Sequence, residues 1–201
     1  MKVTVIDYGA GNLPSVERAL RKLGAEVSVT NRGEDIRAAK CLILPGVGHC
    51  SSLIHALDAH QLRNPLLDAI NTGATFLGIC LGLQALYEGS DEAPDLQGLG
   101  LLKGRVVHLP PEVKLPHMGW NQLRIERPCA LLENIPPHAY FYFAHSYAAP
   151  ASGRETAAVC MHGREFMAVL EQRNIFGVQF HPEKSGAHGE HLLENFLRRA
   201  A

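Results

Sequence analysis

The first half of the chain switches repeatedly between two hydrophobic periods. KVTVID (residues 2–7) is an apolar run closed by an acid, as in a buried strand, whereas NLPSVERALRKLG (12–24) carries apolar residues at helical spacing until Gly24 stops it. AEVSVT (25–30) and CLILPG (41–46) read as further strands. Helices are predicted over SSLIHALDAH (51–60) and PLLDAI (65–70), and ATFLGI (74–79) then runs as a strand into a helix-like CLGLQALYEG (80–89). This β-α-β alternation predicts a parallel sheet with helices on both faces. From Gly104 the texture changes to short β-rich runs separated by Pro, Gly and Asn: GRVVHL, NQLRIE, YFYFAHSY, TAAVCMH, FMAVLEQ and NIFGVQF. They suit antiparallel hairpins extending the sheet, and a helix from about Gly189 to Ala200 closes the chain. The expected fold is α/β: a single domain over residues 1–201, with an open, mostly parallel mixed sheet flanked by helices and antiparallel strands in its C-terminal half.

A chain of 201 residues can bury roughly 70% of its unfolded surface around one core. A net charge of −1 with scattered basic residues argues against nucleic acid as a partner. The apolar N-terminal run reaches Asp7 too soon for a signal peptide or membrane span, which predicts a cytoplasmic protein. The five cysteines (Cys41, Cys50, Cys80, Cys129, Cys160) are odd in number and lack a C-x-x-C pair, so neither a disulfide framework nor a zinc knuckle is indicated. At most one of them needs a special role.

Cys80 is the candidate. G-I-C-L-G (78–82) sits between a predicted strand and a predicted helix, the context of a nucleophile elbow, in which Gly78 and Gly82 relieve crowding around a strained central residue. A cysteine at a helix N-terminus has its thiolate favoured by unpaired N–H groups and the helix dipole, and the Leu81 N–H is aimed where an oxyanion would form. Taken alone, the same stretch could be a structural cysteine in a strand-helix corner. The base candidate lies about a hundred residues downstream in FHPEKS, where Pro182 biases His181 toward an extended conformation, letting Glu183 project on the same side and orient the imidazole. The third segment, LILPGVGHC (42–50), ends a predicted parallel strand, where open α/β sheets bind ligands. Gly46 and Gly48 allow close backbone approach, and the Val47 N–H would be a second oxyanion donor.

Two further stretches carry less. YGAGN (8–12) has neither the G-x-G-x-x-G spacing nor a Walker lysine, so a nucleotide site is disfavoured, although a non-enzymatic nucleotide-binding module is a rival reading. HGEH, with His188 and His191, has no third ligand in view, and no metal or other cofactor is expected.

Together GICLGLQ, PGVG and FHPE resemble the class I (triad) glutamine amidotransferases over nearly the whole chain. More narrowly, IDYGAGNLPSV, LPHMGWNQL, YFYFAHSY and GVQFHPEKS are similar to the glutaminase subunits of imidazole glycerol phosphate synthase. The resemblance implies that Cys80, His181 and Glu183 are the catalytic triad. It implies that Gly48, Gln84 and the backbone around His145, Ser146 and Tyr147 hold glutamine, and that Asn12, Trp120, Asn121, Tyr142 and Lys184 face a synthase partner. On spacing alone Trp120, the only tryptophan, would more often be a core residue, and Tyr142 half of a packed strand face. Departures are mild: Leu83 stands where many members have Met, and Pro14 falls early in a helix, where proline is tolerated.

The implied activity is hydrolysis of glutamine to glutamate and ammonia through a cysteine thioester. The implied partner is a separate (β/α)8-barrel cyclase, which uses the ammonia to make imidazole glycerol phosphate and AICAR in histidine biosynthesis. A glutaminase subunit of another synthase shares the elbow, but P-H-M-G-W-N disfavours it.

Overall fold

The computed structural model describes residues 1–200. In chain order its first half contains β1 (Lys2–Ile6), α1 (Leu13–Lys22), β2 (Glu26–Thr30), α2 (Gly33–Ala38), β3 (Cys41–Gly46), α3 (Cys50–Ala59), α4 (Arg63–Asn71), β4 (Thr75–Cys80) and α5 (Leu81–Gln84). The second half contains β5 (Tyr87–Ser90), β6 (Ala93–Gln97), β7 (Leu102–His108), β8 (His117–Gln122), β9 (Arg124–Ile125), β10 (Tyr140–His145), β11 (Tyr147–Ala148), β12 (Thr156–His162), β13 (Arg164–Gln172), β14 (Ile175–Val178) and α6 (Gly186–Ala200).

The main sheet has eight strands in the order β2-β1-β3-β4-β14-β13-β12-β9. β1 to β4 and β14 run parallel, and β13, β12 and β9 continue the sheet antiparallel. Period-2 alternation divides each buried strand between two apolar layers. Cys41 and Ile43 of β3 face the cluster that includes Val16, Leu20, Leu192 and Phe196, whereas Leu42 and Leu44 face Leu53, Leu57 and Leu66 on the other side. Helix α1 buries Val16 and Leu20, one turn apart, accepts Pro14 in its first turn, and ends in Arg21 and Lys22, which suit the negative end of the helix dipole. Among the described residues no helix is long and apolar enough to cross a membrane.

Three expectations need correction. CLGLQALYEG is not one helix: α5 is a single turn of four residues, and Tyr87–Ser90 is a strand. The C-terminal hairpins do not all extend the main sheet, since β8 and β10 form a separate ribbon and β11, β7, β5 and β6 form a third sheet. A short helix, α2, also falls in a stretch read without an element. Local patterning encodes a strand's faces, but its pairing partner is decided by packing elsewhere in the chain.

Candidate active site

The nucleophile elbow is built by glycines at three close approaches. Cys80 has φ +53° and ψ −106°, a conformation that costs a non-glycine residue on the order of 1–3 kcal/mol. This sharp reversal folds α5 back across the ends of β3 and β4. A Cβ on Gly78 would lie 2.6 Å from the Gly82 carbonyl, one on Gly46 would lie 2.6 Å from the Leu81 side chain, and one on Gly82 would overlap the Leu44 carbonyl oxygen. The elbow therefore requires backbone-on-backbone contact that only glycine permits. Because α5 is one turn long, its dipole contributes little at Cys80, which weakens the argument made from helix position.

Cys80 opens on a cavity of about 160 Å³, below the roughly 300 Å³ lower bound of drug-sized pockets and suited to a single amino acid. Residues from three distant segments line it: Val47 and Gly48 after β3; Leu81 and Gln84 of α5; and His145, Ser146 and Tyr147 between β10 and β11. His181 and Lys184 complete the wall, together with Ala144 and Glu92. A larger cavity of about 610 Å³ lies at the opposite end of the fold beside Met1, Lys2 and Lys40, far from any candidate nucleophile.

His181 is buried, and its Nδ1 lies 2.9 Å from Glu183 Oε1. The turn Pro182–Lys184 closes this contact, so Glu183 reaches the imidazole by curling back rather than by strand alternation. Nε2 is then the ring nitrogen left to meet the Cys80 sulfur. Burial by itself would pull the imidazole's pKa down, but its hydrogen bonds to Cys80 and Glu183, with the charges of both, outweigh that and push it up to about 10. Cys41, Cys129 and Cys160 are instead pushed up to about 12, chiefly by burial, and Cys50 is raised by burial and by Glu92. Those four are held as inert thiols. The His-Glu turn is fastened to β10: the His181 N–H donates to the Tyr142 carbonyl (2.9 Å), the Tyr142 N–H donates to Ser185 Oγ (3.0 Å), and that hydroxyl donates to the His181 carbonyl (2.7 Å).

The two oxyanion candidates differ. Leu81 follows the elbow directly, whereas the Val47 N–H donates to the Tyr8 hydroxyl at 3.4 Å, with Gly48 at φ +93° beside it. Tyr8 is buried and its phenol is pushed up to about 12, mainly by burial, so it stays neutral and able to accept. Gly46 does not line the cavity; it packs under Leu81.

Beneath the cavity a chain of histidines has one consistent polarity. His145 Nδ1 must donate to the Tyr147 carbonyl (2.9 Å), so its Nε2 accepts from His117 Nδ1 (3.1 Å), whose own Nε2 accepts from Asn121 Nδ2 (3.3 Å). Both imidazoles are neutral in this arrangement. Burial first, then the neighbouring His162, push His117 down to about 4; burial likewise pushes His145 down to about 3. The unfolded chain binds these two protons near pH 6.5 and the folded chain does not. Stability from this pair is therefore complete above pH 6.5 and is lost as pH falls toward 4, by at most about 1.4 kcal/mol per pH unit for each histidine. Urea unfolding at pH 7 and pH 5 should show that loss, and His117→Gln should roughly halve it; equal stability at both pH values would contradict the neutral pair.

The residues assigned to a partner lie mostly outside the cavity. Trp120 is 55% exposed, against the core placement its spacing favoured, because its face of the β8–β10 ribbon looks to solvent while Phe141 and Phe143 fill the core from the other face. Its ring stands 6.0 Å from that of Tyr142, and Lys184 Nζ lies 5.9 Å over the Tyr142 ring, so Lys184 touches both the cavity and this patch. Met118 extends the patch. Asn121 points to the opposite face, toward His117 and the Met161 carbonyl. Asn12 stands at the start of α1, where its carbonyl accepts from the Val16 N–H while its side chain makes no capping hydrogen bond.

Sequence reasoning missed Tyr8, Glu92, Gln179 and Ser185. Gln179 offered a signal, a lone amide inside the apolar run GVQF; the others had none. The Gln179 side chain is fully buried and donates to Cys80 Sγ at 3.5 Å.

Comparison with known proteins agrees with this architecture. The family model for glutamine amidotransferase class-I matches residues 4–200. Imidazole glycerol phosphate synthase subunit HisH of Desulfitobacterium hafniense is 48% identical, covering 96% of this chain and 92% of that protein; the HisH of Methanothermobacter thermautotrophicus is also 48% identical, covering 97% of each. A crystal structure of a glutamine amidotransferase superposes with a TM-score of 0.78 at 19% identity over 98% of each chain, a likeness of fold alone. With a strained cysteine elbow, a buried His-Glu pair beside it and relatives this similar along nearly its whole length, the chain belongs to the class-I glutamine amidotransferases and, among them, to the HisH family.

Proposed function

We propose that this chain is the glutaminase half of a cytoplasmic imidazole glycerol phosphate synthase, delivering ammonia from glutamine to a separate (β/α)8-barrel cyclase. The observation that carries the reading is one cavity, sized for an amino acid, whose wall holds both Cys80 and an imidazole fixed by Glu183.

The Cys80 thiolate, with the His181 imidazolium as counter-ion, attacks the side-chain amide carbon of glutamine. The Leu81 and Val47 N–H groups receive the oxyanion as the tetrahedral intermediate forms. His181 then gives its proton to the departing nitrogen, releasing ammonia and leaving a glutamyl thioester, and next takes a proton from water as that water attacks the thioester to release glutamate. Glu183 keeps the ring in the tautomer that presents Nε2 to the sulfur. Glu92, the one carboxylate on the cavity wall, suits the α-ammonium of the substrate. Gly48, Gln84 and the main chain of His145, Ser146 and Tyr147 line the rest of its outline. Ammonia released into water would become unreactive ammonium, so an enclosed exit is required. The patch of Trp120, Tyr142 and Lys184 beside the cavity is where we place the cyclase, and we assign Asn12, at the start of α1, to the same interface.

The Val47 N–H is occupied by Tyr8 in this structure, which supports a resting state. The Gly46-Val47 peptide rotates to the oxyanion position when the cyclase and its ligand bind. One added oxyanion donor is worth about 10²–10³ in kcat. Glutamate release should accordingly rise by about two orders of magnitude from the chain alone to the ligand-loaded complex, and Tyr8→Phe, which removes the resting acceptor, should raise the rate of the chain alone about two- to tenfold. Equal rates alone and in the complex would overturn the resting state, and no glutamate release in either would overturn the glutaminase reading.

A further inference from the structure

The mechanism above leaves unused the one buried amide that touches the reacting sulfur. Gln179 follows β14, two residues before His181, and is completely shielded from solvent. It is not part of the cavity wall, so it does not meet substrate. A fully buried glutamine retains its place only if its polar ends are satisfied, and here the partners also dictate which end faces which way.

The orientation follows from a backbone carbonyl. The Tyr147 carbonyl can only accept, so the group of Gln84 that lies 2.7 Å from it must be the amide NH2. That same NH2 lies 3.0 Å from the Gln179 side chain, which must therefore present its oxygen, Oε1, toward Gln84. The remaining end of Gln179, Nε2, then points at Cys80 Sγ, 3.5 Å away. The Gln84 NH2 thus donates both ways, to the Tyr147 carbonyl and to Gln179 Oε1, and Gln179 in turn donates to the sulfur. An amide flip at Gln179 would bring two oxygen lone pairs against a sulfur anion and two NH2 groups against each other.

We propose that Gln179 is a positioning residue for the amide hydrolysis, its NH2 fixing the Cys80 sulfur from below and stabilising the thiolate while His181 is reserved for proton transfer. The proposal rests on Cys80 being the nucleophile. An N–H donor favours the anionic sulfur over the neutral thiol, and because the donor is anchored through Gln84 it keeps its direction when His181 moves its proton. The donor reaches the sulfur from the protein interior, since Gln179 is fully buried and absent from the cavity wall that Cys80 itself lines, leaving the cavity free for the amide carbon. Gln84 does two jobs in this arrangement: it lines the cavity and it sets the polarity of the donor.

The test is alkylation of Cys80 by iodoacetamide across pH, followed by peptide mass spectrometry on the full chain, beside glutamine turnover in the complex with the cyclase. Gln179→Leu keeps the volume and removes the donor; Gln179→Glu keeps the shape and replaces the donor by an acid. Thermal unfolding identifies which variants are folded, and either folded variant decides the outcome. The expected result is that half-maximal alkylation moves up by about one pH unit, so that at pH values below both midpoints the rate falls about tenfold, with kcat lowered and KM unchanged. An unchanged alkylation profile in a folded variant would overturn the proposal, as would a rise in KM with kcat intact, which marks lost substrate binding. Cys80→Ser separates the two ideas: glutamine turnover retained in that variant would overturn the nucleophile assignment, whereas turnover lost there with Gln179→Leu behaving as wild type would overturn only the role of Gln179.

Discussion

Replacing Cys80 by alanine should abolish glutamine-dependent synthesis by the complex and leave synthesis from added ammonium salts intact. Removing the nucleophile of a catalytic triad costs on the order of 10⁶ in kcat, because the base and its orienting acid have nothing left to act on. The fold should survive, since alanine occupies the same space as the cysteine up to Cβ and tolerates φ +53° no worse. The cyclase reaction does not involve this cavity, so ammonia supplied from solution bypasses the lesion. The two activities measured in one preparation therefore separate a lost nucleophile from a lost assembly: loss of both would mean that the variant fails to fold or to dock, and retention of both would remove Cys80 from the mechanism. Glu183→Gln should be milder than Cys80→Ala, because it removes orientation of the imidazole rather than the attacking atom.

The second large effect is structural. Gly82→Ala should cost about 3 kcal/mol or more of stability, with glutaminase activity lost even where folded protein remains. Its Cβ would overlap the Leu44 carbonyl oxygen, and neither partner is the end of a flexible side chain. Relief requires α5 to lift away from β3, and that movement carries the Cys80 sulfur and the Leu81 N–H with it. Leu83→Met, one residue further on and also buried, is a volume-conserving exchange and should cost less than about 1.5 kcal/mol. Urea midpoints for the two variants test the contrast, and a Gly82→Ala protein as stable as Leu83→Met would contradict the close-packed elbow.

Which parts of this site could be read in advance follows from how far each interaction reaches. The parallel half of the sheet was legible because buried strands such as CLILPG and ATFLGI are apolar on both faces and are punctuated by glycines. The elbow was legible because a strained cysteine must be flanked by residues without side chains, and H-P-E because proline restricts the backbone beside the imidazole. The end of α5 was not. Ala85, Leu86 and Tyr87 are compatible with a helix, but Ala85 and Leu86 offer their carbonyls to the Leu99 and Leu102 N–H groups and Tyr87 sends its hydroxyl to the Met167 sulfur, all partners from later in the chain. Trp120 shows the converse: alternation correctly divides β8 and β10 into two faces, yet it does not say which face is covered. The Tyr8 contact with Val47 and the histidine chain beneath Tyr147 join residues tens of positions apart and leave no local trace.

The central claim is a covalent bond between the Cys80 sulfur and the glutamyl carbon. It is tested most directly by treating the ligand-loaded complex with a glutamine-mimicking diazoketone and mapping the adduct by peptide mass spectrometry. The account predicts one modification, on Cys80, formed in step with loss of glutamine-dependent activity and blocked by excess glutamine. Inactivation with the label on Cys50 or any other cysteine, or with Cys80 left unmodified, would contradict it.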